Sequence, residues 1–170
     1  MKPRNHQIEI WPLRAEQWEI HKRIRLAALA DAPYAFTTRL TDVVARPDEE
    51  WMEITARRAG EPDSVTYFAA VAGEPCAMAA CTLTELGAEM LAVWVAPACR
   101  KLGVGQALVD YARTWAIQRR APTLVVGVYA DNQDAVTFYT RAGFRLTETK
   151  RFDAQTKRPI LIMTMPLDAN

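Results

Sequence analysis

The sequence predicts a single α/β domain in which about four helices flank a central, mixed and twisted sheet of about seven strands. Three observations predict this class. The chain has 170 residues, which is within the usual size of one domain. Hydrophobic residues make up 50% of the chain, enough to fill a sizeable core. Strand-like and helix-like periods alternate without an internal repeat or a linker, so we expect residues 1–170 to form one unit.

The first half of the chain predicts a strand, two helices and two strands joined by a turn. In chain order these are a strand at residues 8–13, helices at 16–30 and 48–59, and strands at 66–72 and 77–86. Asp31-Ala32-Pro33 ends the first helix and Gly60 ends the second. Residues 34–47, between the helices, have no clear period. Gly73-Glu74-Pro75 predicts the turn of a hairpin.

The second half of the chain predicts a parallel crossover. Residues 89–95 are apolar on both faces after the first position, as expected for a central strand that is covered on both sides. A helix at residues 103–120 carries one apolar stripe and leads to a buried strand at 124–129. A strand, a helix and a second strand in this order form a right-handed parallel unit. A helix at 132–142 and strands at 144–149 and 160–165 complete the fold.

The charge balance excludes several classes of partner. Lys and Arg total 21 against 20 Asp and Glu, and the net charge of +1 gives no field that would attract nucleic acid or an anionic membrane. No apolar run approaches the roughly 20 residues needed to cross a bilayer. Residues 1–11 lack the apolar region and the cleavage site of a secretory signal. We therefore expect a cytoplasmic protein without nucleic-acid or membrane partners.

The cysteines do not indicate a metal site. Cys76, Cys81 and Cys99 have no CxxC spacing and no neighbouring histidine, since the histidines are His6 and His21. Cys76 and Cys81 lie in or beside a predicted strand. We expect both to be reduced and to act as small, buried hydrophobic residues.

A basic turn that contains glycines follows the central strand. Pro97 takes the chain out of the sheet, and six residues later Gly103 and Gly105 open a helix. Free N–H groups and the positive end of the helix dipole favour a phosphate at such a helix start, and glycines let an anion approach the backbone closely. Arg100 and Lys101 would add mobile positive charge, which is more than a purely structural turn needs. The sequence therefore predicts a local anion site.

Two common phosphate motifs do not fit this turn, whereas a third pattern does. The dinucleotide fingerprint requires a glycine where Leu108 stands, and the P-loop motif is absent. Val95-x-Pro97 followed by Arg100-x-x-Gly103-x-Gly105 resembles the coenzyme A signature of the GNAT superfamily of N-acetyltransferases. Asn132-x-x-Ala135-x-x-Phe138-Tyr139-x-x-x-Gly143-Phe144 is similar to the second conserved segment of that superfamily. The resemblance covers nearly the whole chain and includes Leu26-x-x-Leu29-x-Asp31-x-Pro33-x-Ala35-Phe36.

The resemblance implies acetyl-coenzyme A as co-substrate and no metal. The amides of residues 102–105 would hold its pyrophosphate, and its pantetheine arm would run between two parallel strands that splay apart. A free N–H at a bulge in the central strand would stabilise the thioester carbonyl oxygen. Gly127 would mark a close approach of backbone and cofactor. The residues expected to contact the cofactor are Val93, Trp94, Val95, Arg100, Lys101, Leu102, Gly103, Val104, Gly105, Asn132 and Tyr139.

Acetyl transfer to an amine needs a proton donor for the departing thiolate and a base for the amine. Tyr139 is the candidate acid, because relatives usually carry a tyrosine at the matching position and a phenol protonates a thiolate at modest cost. The alternative role of Tyr139 is that of a core aromatic residue. Glu89 is the candidate base, directly or through water, and the alternative is a solvated residue at a strand start. Asn132 is expected to cap a helix and also to touch the cofactor.

Two alternative mechanisms or functions remain open at this point. Cys99, beside Arg100, would be a covalent acetyl carrier, but it has no histidine base. The resemblance implies direct attack by the amine in a ternary complex instead. A non-catalytic acyl-coenzyme A sensor would keep the turn and lack an acceptor site, and Tyr139 favours the enzyme over the sensor.

The acceptor is expected to be a primary amine of a small molecule, a peptide N-terminus or a lysine. The irregular segments at residues 30–51 and 151–158 would choose among such acceptors. Tyr34, Phe36 and Trp51 are candidate residues for an apolar acceptor pocket, or else core residues under the helices. Dimers are common among relatives, so the partners expected are acetyl-coenzyme A, an amine and a second copy of the chain.

Overall fold

The structure, a computed structural model, describes residues 7–167. Residues 1–6, which include His6 and begin the segment 1–11 that was expected to lack a secretory signal, lie outside the described residues. Residues 168–170, at the other end of the predicted 1–170 domain, also lie outside them. The strands are β1 (Ile8–Pro12), β2 (Ser64–Val71), β3 (Glu74–Thr84), β4 (Gly87–Val95), β5 (Thr123–Tyr129), β6 (Arg145–Phe152) and β7 (Pro159–Pro166). The helices are α1 (Trp18–Asp31), α2 (Asp48–Ala59), α3 (Val104–Gln118) and α4 (Gln133–Arg141).

The strands form one mixed sheet in the order β1-β2-β3-β4-β5-β7-β6. β4 and β5 are parallel, and every other neighbouring pair is antiparallel. α3 connects the two parallel strands, because a parallel pair requires a long crossover. The predicted fold class, with seven strands, four helices and one parallel pair, is therefore confirmed.

The boundaries of several elements differ from the prediction. The turn predicted at residues 73–75 contains only Ala72 and Gly73, with φ of 53° and 81°. Two consecutive positive φ angles are typical of the two-residue turns whose twist matches that of a hairpin, so β3 begins earlier than predicted. The segment at 34–47 is irregular, as predicted, apart from short 3-10 turns at Pro33–Ala35 and Leu40–Asp42.

Helices cover both faces of the sheet. On one face α3 and α4 belong to one core with the sheet, and the hydroxyl of the buried Tyr67 on β2 donates to the carbonyl of Leu108 on α3 at 2.9 Å. On the other face α1 packs over Phe68, the next residue along β2. Neighbouring residues on a strand point to opposite faces, so this one strand contributes to both cores. α2 adds a third cluster around Trp51.

The side chains of β4 change the face of the sheet to which they point partway along the strand. Met90 lies in the core under α3, whereas Trp94 lies in the core under α1. Residues four apart on a regular strand would share a face, so one extra residue must lie between them. The register with β3 shifts at this point, and Ala92 has a φ of 51°. The bulge that the sequence analysis expected in the central strand is therefore centred at Ala92.

His21 lies in the core between α1 and α2. Its side chain is 3% exposed, and its Nδ1 is 2.8 Å from Oγ1 of Thr55, which is fully buried. The pKa of His21 is lowered to about 4, mainly by burial and also by the charges of Arg58 and Arg25. The imidazole is therefore neutral in the folded protein at neutral pH.

We expect the buried His21 to make stability depend on pH. Its pKa is lower in the folded protein than in the unfolded chain, where it is about 6.5, so the unfolded state binds the proton more readily. The free energy of unfolding should therefore fall by up to about 3 kcal/mol as the pH is lowered from about 6.5 to about 4. Urea unfolding across this range measures it, and H21Q should lack this component. Parallel curves for the two proteins would show that His21 does not titrate in this way.

Candidate functional site

A cleft opens in the sheet where β4 and β5 separate. The two strands pair over three positions only, Ala88 with Leu124, Glu89 with Val125, and Met90 with Val126. Beyond Met90 the bulge turns β4 away, and the backbone of residues 91–93 has no strand partner on the β5 side. The resulting cleft has a volume of about 360 Å³. Side chains and backbone from β4, β5, α4 and the loop after α1 line it.

The cleft brings together four of the residues predicted from the sequence. Glu89 and Val93 line it from β4, and Asn132 and Tyr139 line it from the start and the inner face of α4. Asn132 also caps α4, because its Oδ1 accepts from the N–H of Ala135 at 3.2 Å. The predicted capping role of Asn132 is therefore confirmed.

Tyr139 is a buried residue at the wall of the cleft. Its side chain is 6% exposed, and its ring packs edge-on against the rings of Phe138 and Phe144. Burial raises the pKa of Tyr139. Within residues 7–167 the structure records no hydrogen-bond partner for its hydroxyl. A neutral phenol is thus held by aromatic packing at the wall of the cleft.

Glu89 is held in place by an ion pair. Its Oε1 accepts from Nη1 of Arg151 on β6 at 2.8 Å, and its side chain is 12% exposed. Both residues line the cleft. The alternative of a merely solvated glutamate at a strand start does not describe this contact.

The predicted turn lies at the N-terminus of α3. Gly103 precedes the helix with a φ of 89°, a left-handed conformation that favours glycine. No side chain caps this helix end, and its first turn contains no acidic residue. The first intrahelical bond is from the N–H of Ala107 to the carbonyl of Gly103 at 3.0 Å. The earlier N–H groups, at residues 103–106, therefore have no partner within the helix and suit a diphosphate.

The two glycines expected to admit the cofactor have other close neighbours. A Cβ at Gly105 would lie 3.1 Å from the ring of Phe138, so its absence lets α3 and α4 pack together. A Cβ at Gly127 would lie 3.0 Å from Cγ2 of Ile160 on β7. The contact of Gly105 with Phe138, the residue before Tyr139, places the turn directly beside the helix that carries the candidate acid.

Arg100 does not supply the mobile charge that the sequence analysis expected. Its Nη2 forms an ion pair with Oδ2 of Asp31, and its Nε donates to the carbonyl of Val95 at 3.0 Å. The indole N–H of Trp94 donates to the same oxygen of Asp31 at 2.9 Å. That expectation was wrong because the end of α1 holds Arg100 against β4. The side chain of Trp94 points into the core under α1. Lys101 is exposed, with a φ of 62°.

A carboxylate network that the sequence analysis missed supports the far end of the cleft. Oδ2 of Asp153 accepts from the hydroxyls of Tyr129 at 2.7 Å and Thr37 at 3.0 Å, and both of these residues line the cleft. Hydrogen bonds from the backbone N–H of Thr156 and from Tyr129 hold the pKa of Asp153 well below its usual range. Above Tyr129, the guanidinium of Arg158 lies 3.7 Å from the ring centroid. The available sequence signal was an aspartate that opens a polar hairpin loop.

The candidate acceptor residues separate into different environments. Phe36 lines the cleft together with the polar loop residues Thr37 and Thr38. Trp51 is 2% exposed and belongs to the core under α2, which is the alternative role considered for it. Tyr34 is 58% exposed and lies outside the cleft. Of the three, only Phe36 contributes to the cleft wall.

The cysteines are free thiols in the structure. Cys76 and Cys81 are buried, as expected, and burial raises the pKa of each to about 12. Cys99 is half-buried and does not line the cleft. Residues 7–167 contain no group of three or more His, Cys, Asp or Glu side chains placed to hold a metal ion. Within the same range, none of the helices combines the length and apolar character needed to span a membrane.

Comparisons with known proteins bear on this site. Residues 15–144 match the model of the Acetyltransferase (GNAT) family. The peptidyl-lysine N-acetyltransferase YiaC of Escherichia coli (strain K12) is 36% identical over 81 residues, which are 48% of this chain and 51% of that protein. The chain thus spans about half the length of the curated relatives it matches.

Solved structures share the fold. A GNAT acetyltransferase from Streptococcus pneumoniae superimposes with a TM-score of 0.77 at 15% identity, covering 95% of this chain and all of that one (100%). The PaiA N-acetyltransferase from Thermoplasma acidophilum, in complex with coenzyme A, has a TM-score of 0.71 at 17% identity and covers 94% and 99% of the two chains. At these identities the likeness concerns the fold. Because the family match extends over well more than half of its length, the chain belongs to the Acetyltransferase (GNAT) family.

Proposed function

We propose that this protein transfers the acetyl group of acetyl-coenzyme A to a primary amine. The observation that carries the proposal is the position of Tyr139 in a cleft that opens between diverging parallel strands, beside a turn of uncapped amides. The amides of residues 102–105 bind the pyrophosphate, and Lys101 adds positive charge there. The pantetheine arm lies between β4 and β5, where no strand pairing fills the space.

The reaction joins the amine nitrogen to the thioester carbonyl carbon and then breaks the bond from that carbon to sulfur. Negative charge develops on the carbonyl oxygen during the attack, and an unpaired N–H in residues 91–93 stabilises it. The bulge at Ala92 removes this stretch from pairing with β5, and so frees polar groups on that side for the substrate. Val93 lines the cleft at this point.

Two protons move during the reaction. Glu89, directly or through water, accepts a proton from the amine as the nitrogen attacks. The hydroxyl of Tyr139 donates its proton to the departing thiolate. Burial raises the pKa of Tyr139, but the same surroundings also raise the proton affinity of a thiolate formed there. Proton transfer from Tyr139 to the thiolate is therefore less unfavourable than the raised pKa of the phenol alone would indicate.

The acceptor enters at the end of the cleft formed by the loop after α1. Phe36, Thr37 and Thr38 line this end, and the hydrogen bond from Thr37 to Asp153 fixes the loop. We include a lysine side chain among the acceptors, together with small amines and peptide N-termini, because the curated relatives are named peptidyl-lysine N-acetyltransferases.

Release of free thiol from acetyl-coenzyme A, measured across a panel of amines and peptides, tests the proposal. We expect at least one acceptor to give thiol and acetylated amine in equal amounts. Binding of acetyl-coenzyme A without turnover on any acceptor would instead identify a sensor. Acetylated Cys99 after mixing with acetyl-coenzyme A alone would contradict direct attack by the amine.

Replacing Glu89 by glutamine should change the dependence of rate on pH. The variant keeps the size of the side chain but cannot accept the proton of the amine, so its rate should be lower near neutral pH. The rates of variant and wild type should converge at high pH, where the amine is already neutral. E85Q, an exposed glutamate in the turn before β4, is the matched control and should behave as wild type. A pH–rate profile of E89Q that superimposes on that of wild type would remove Glu89 from the mechanism.

A further inference from the structure

A second cavity lies on the α1 and α2 side of the molecule. This crevice has a volume of about 400 Å³ and is lined mostly by polar and charged residues of the two helices. Its charged residues are Arg25, Arg46, Arg57, Arg58, Glu50 and Glu53. Nε of Arg46 bonds to Oε1 of Glu50 at 3.1 Å, so these two charges compensate each other. Three arginines then face the single carboxylate of Glu53, and the crevice is electropositive.

Two of the residues that line this crevice carry a buried N–H donor for which the structure records no acceptor among residues 7–167. These donors are Nη1 of Arg25 and Nε1 of Trp51. An unpaired buried donor costs about 1–3 kcal/mol, and more when it is charged. An oxyanion is the ligand that would accept from such donors.

The positive charges of the crevice also act on one another. The guanidinium of Arg25 lies 5.0 Å from the ring centroid of Phe36, which leaves it half-buried between the loop and the helices. Burial lowers the pKa of Arg25 to about 10, and the charges of Arg58 and Arg46 act in the same direction. These arginines are therefore close enough to repel one another, and a bound anion would relieve the repulsion.

The crevice and the acetyl-transfer cleft share part of their walls. Arg25 and Thr38 line both cavities. The positive charge of Arg25 therefore contributes to the electrostatic potential at the end of the cleft through which the acceptor enters. An anion that compensates this charge would change the binding of a cationic amine there.

We propose that the crevice between α1 and α2 binds a phosphate or carboxylate group, and that Arg25 communicates its occupancy to the acceptor end of the cleft. The group belongs either to a separate small anion or to the acceptor itself. Arg58 contributes charge from the exposed rim of the crevice, and Arg25 contributes from its base.

Calorimetric titration with inorganic phosphate tests the site. Saturating coenzyme A is present throughout so that phosphate does not report the turn at α3, and chloride keeps the ionic strength constant. We expect wild type to bind phosphate, and R58Q to bind it about tenfold more weakly, because one charge-assisted contact is lost. R23Q removes an exposed arginine of α1 that lies outside the crevice and should bind as wild type. Absence of binding to wild type, or equal affinities for wild type and R58Q, would overturn the proposal.

Measurements of the KM for different acceptors distinguish the two sources of the anionic group. These measurements rest on the proposed acetyl transfer. If the anion is a separate ligand, phosphate should lower the KM of an amine without a carboxylate in wild type, and not in R58Q. If the acceptor carries the anion, phosphate should compete with it and raise its KM, and replacing the carboxylate by an amide should raise KM as well. Either result supports the site. Phosphate binding that leaves the KM of every acceptor unchanged would overturn the link through Arg25. The titration needs no turnover, so failure of the proposed function would be recognised separately.

Discussion

Replacing Tyr139 by phenylalanine should lower kcat about a hundredfold with little change in the KM for acetyl-coenzyme A. The substitution removes the hydroxyl that is proposed to protonate the departing thiolate, and it keeps the ring that packs against Phe138 and Phe144. Binding of the cofactor depends on the amides of α3 and should be preserved. Steady-state kinetics with a good acceptor from the panel would measure both constants.

Y111F is the control for the loss of a tyrosine hydroxyl. Tyr111 lies on α3, and its ring packs 4.4 Å from that of Tyr67, away from the residues that line the cleft. This variant should keep the rate of wild type. If Y139F also kept that rate, Tyr139 would be an aromatic core residue and the thiolate would obtain its proton from elsewhere.

Replacing Gly87 by alanine should destabilise the protein by roughly 3 kcal/mol, or lower its Tm by roughly 10 °C. Gly87 begins β4 with a φ of 136°, which side chains rarely adopt. A Cβ there would lie 2.3 Å from the carbonyl oxygen of Thr123, the first residue of β5. The backbone at the start of the parallel pair would have to move. Thermal and urea unfolding measure this loss.

G73A separates the clash at Gly87 from the backbone strain. Gly73 also has a positive φ, of 81°, but a Cβ there would meet nothing within 4 Å. We expect G73A to cost about 1 kcal/mol, from the strain alone. Equal losses of stability in G73A and G87A would show that the backbone of β5 moves away from the extra methyl group at little cost.

The sequence was sufficient for the fold because its signals were local and agreed with one another. The alternation of periods gave the seven strands and four helices, and Pro97 with Gly103 located the start of α3. The order of strand, helix and strand required β4 and β5 to be parallel. Gly127 was expected to mark a close approach of backbone and cofactor, and it lines the cleft, although a Cβ there would also lie close to Ile160 on β7.

Contacts between residues far apart in the chain could not be predicted from the sequence. Arg100 was expected to be free because nothing in its neighbourhood shows that Asp31, 69 positions earlier, would bind it. The network around Asp153 joins residues 37, 129 and 153, which only the folded sheet brings together. The pairing of Glu89 with Arg151 has the same origin. The sequence therefore identified the chemical groups of the cleft better than the partners that position them.

Hydrogen–deuterium exchange with and without coenzyme A tests most directly whether the cofactor lies across the turn and the diverging strands. We predict that coenzyme A slows exchange at residues 102–105, in the turn at the uncapped N-terminus of α3, and at residues 91–93, where β4 has no partner toward β5. Exchange in α2, whose buried Trp51 belongs to a separate core cluster, should be unchanged. Protection confined to the α1 and α2 side, with residues 91–93 and 102–105 exchanging as in the free protein, would contradict the account.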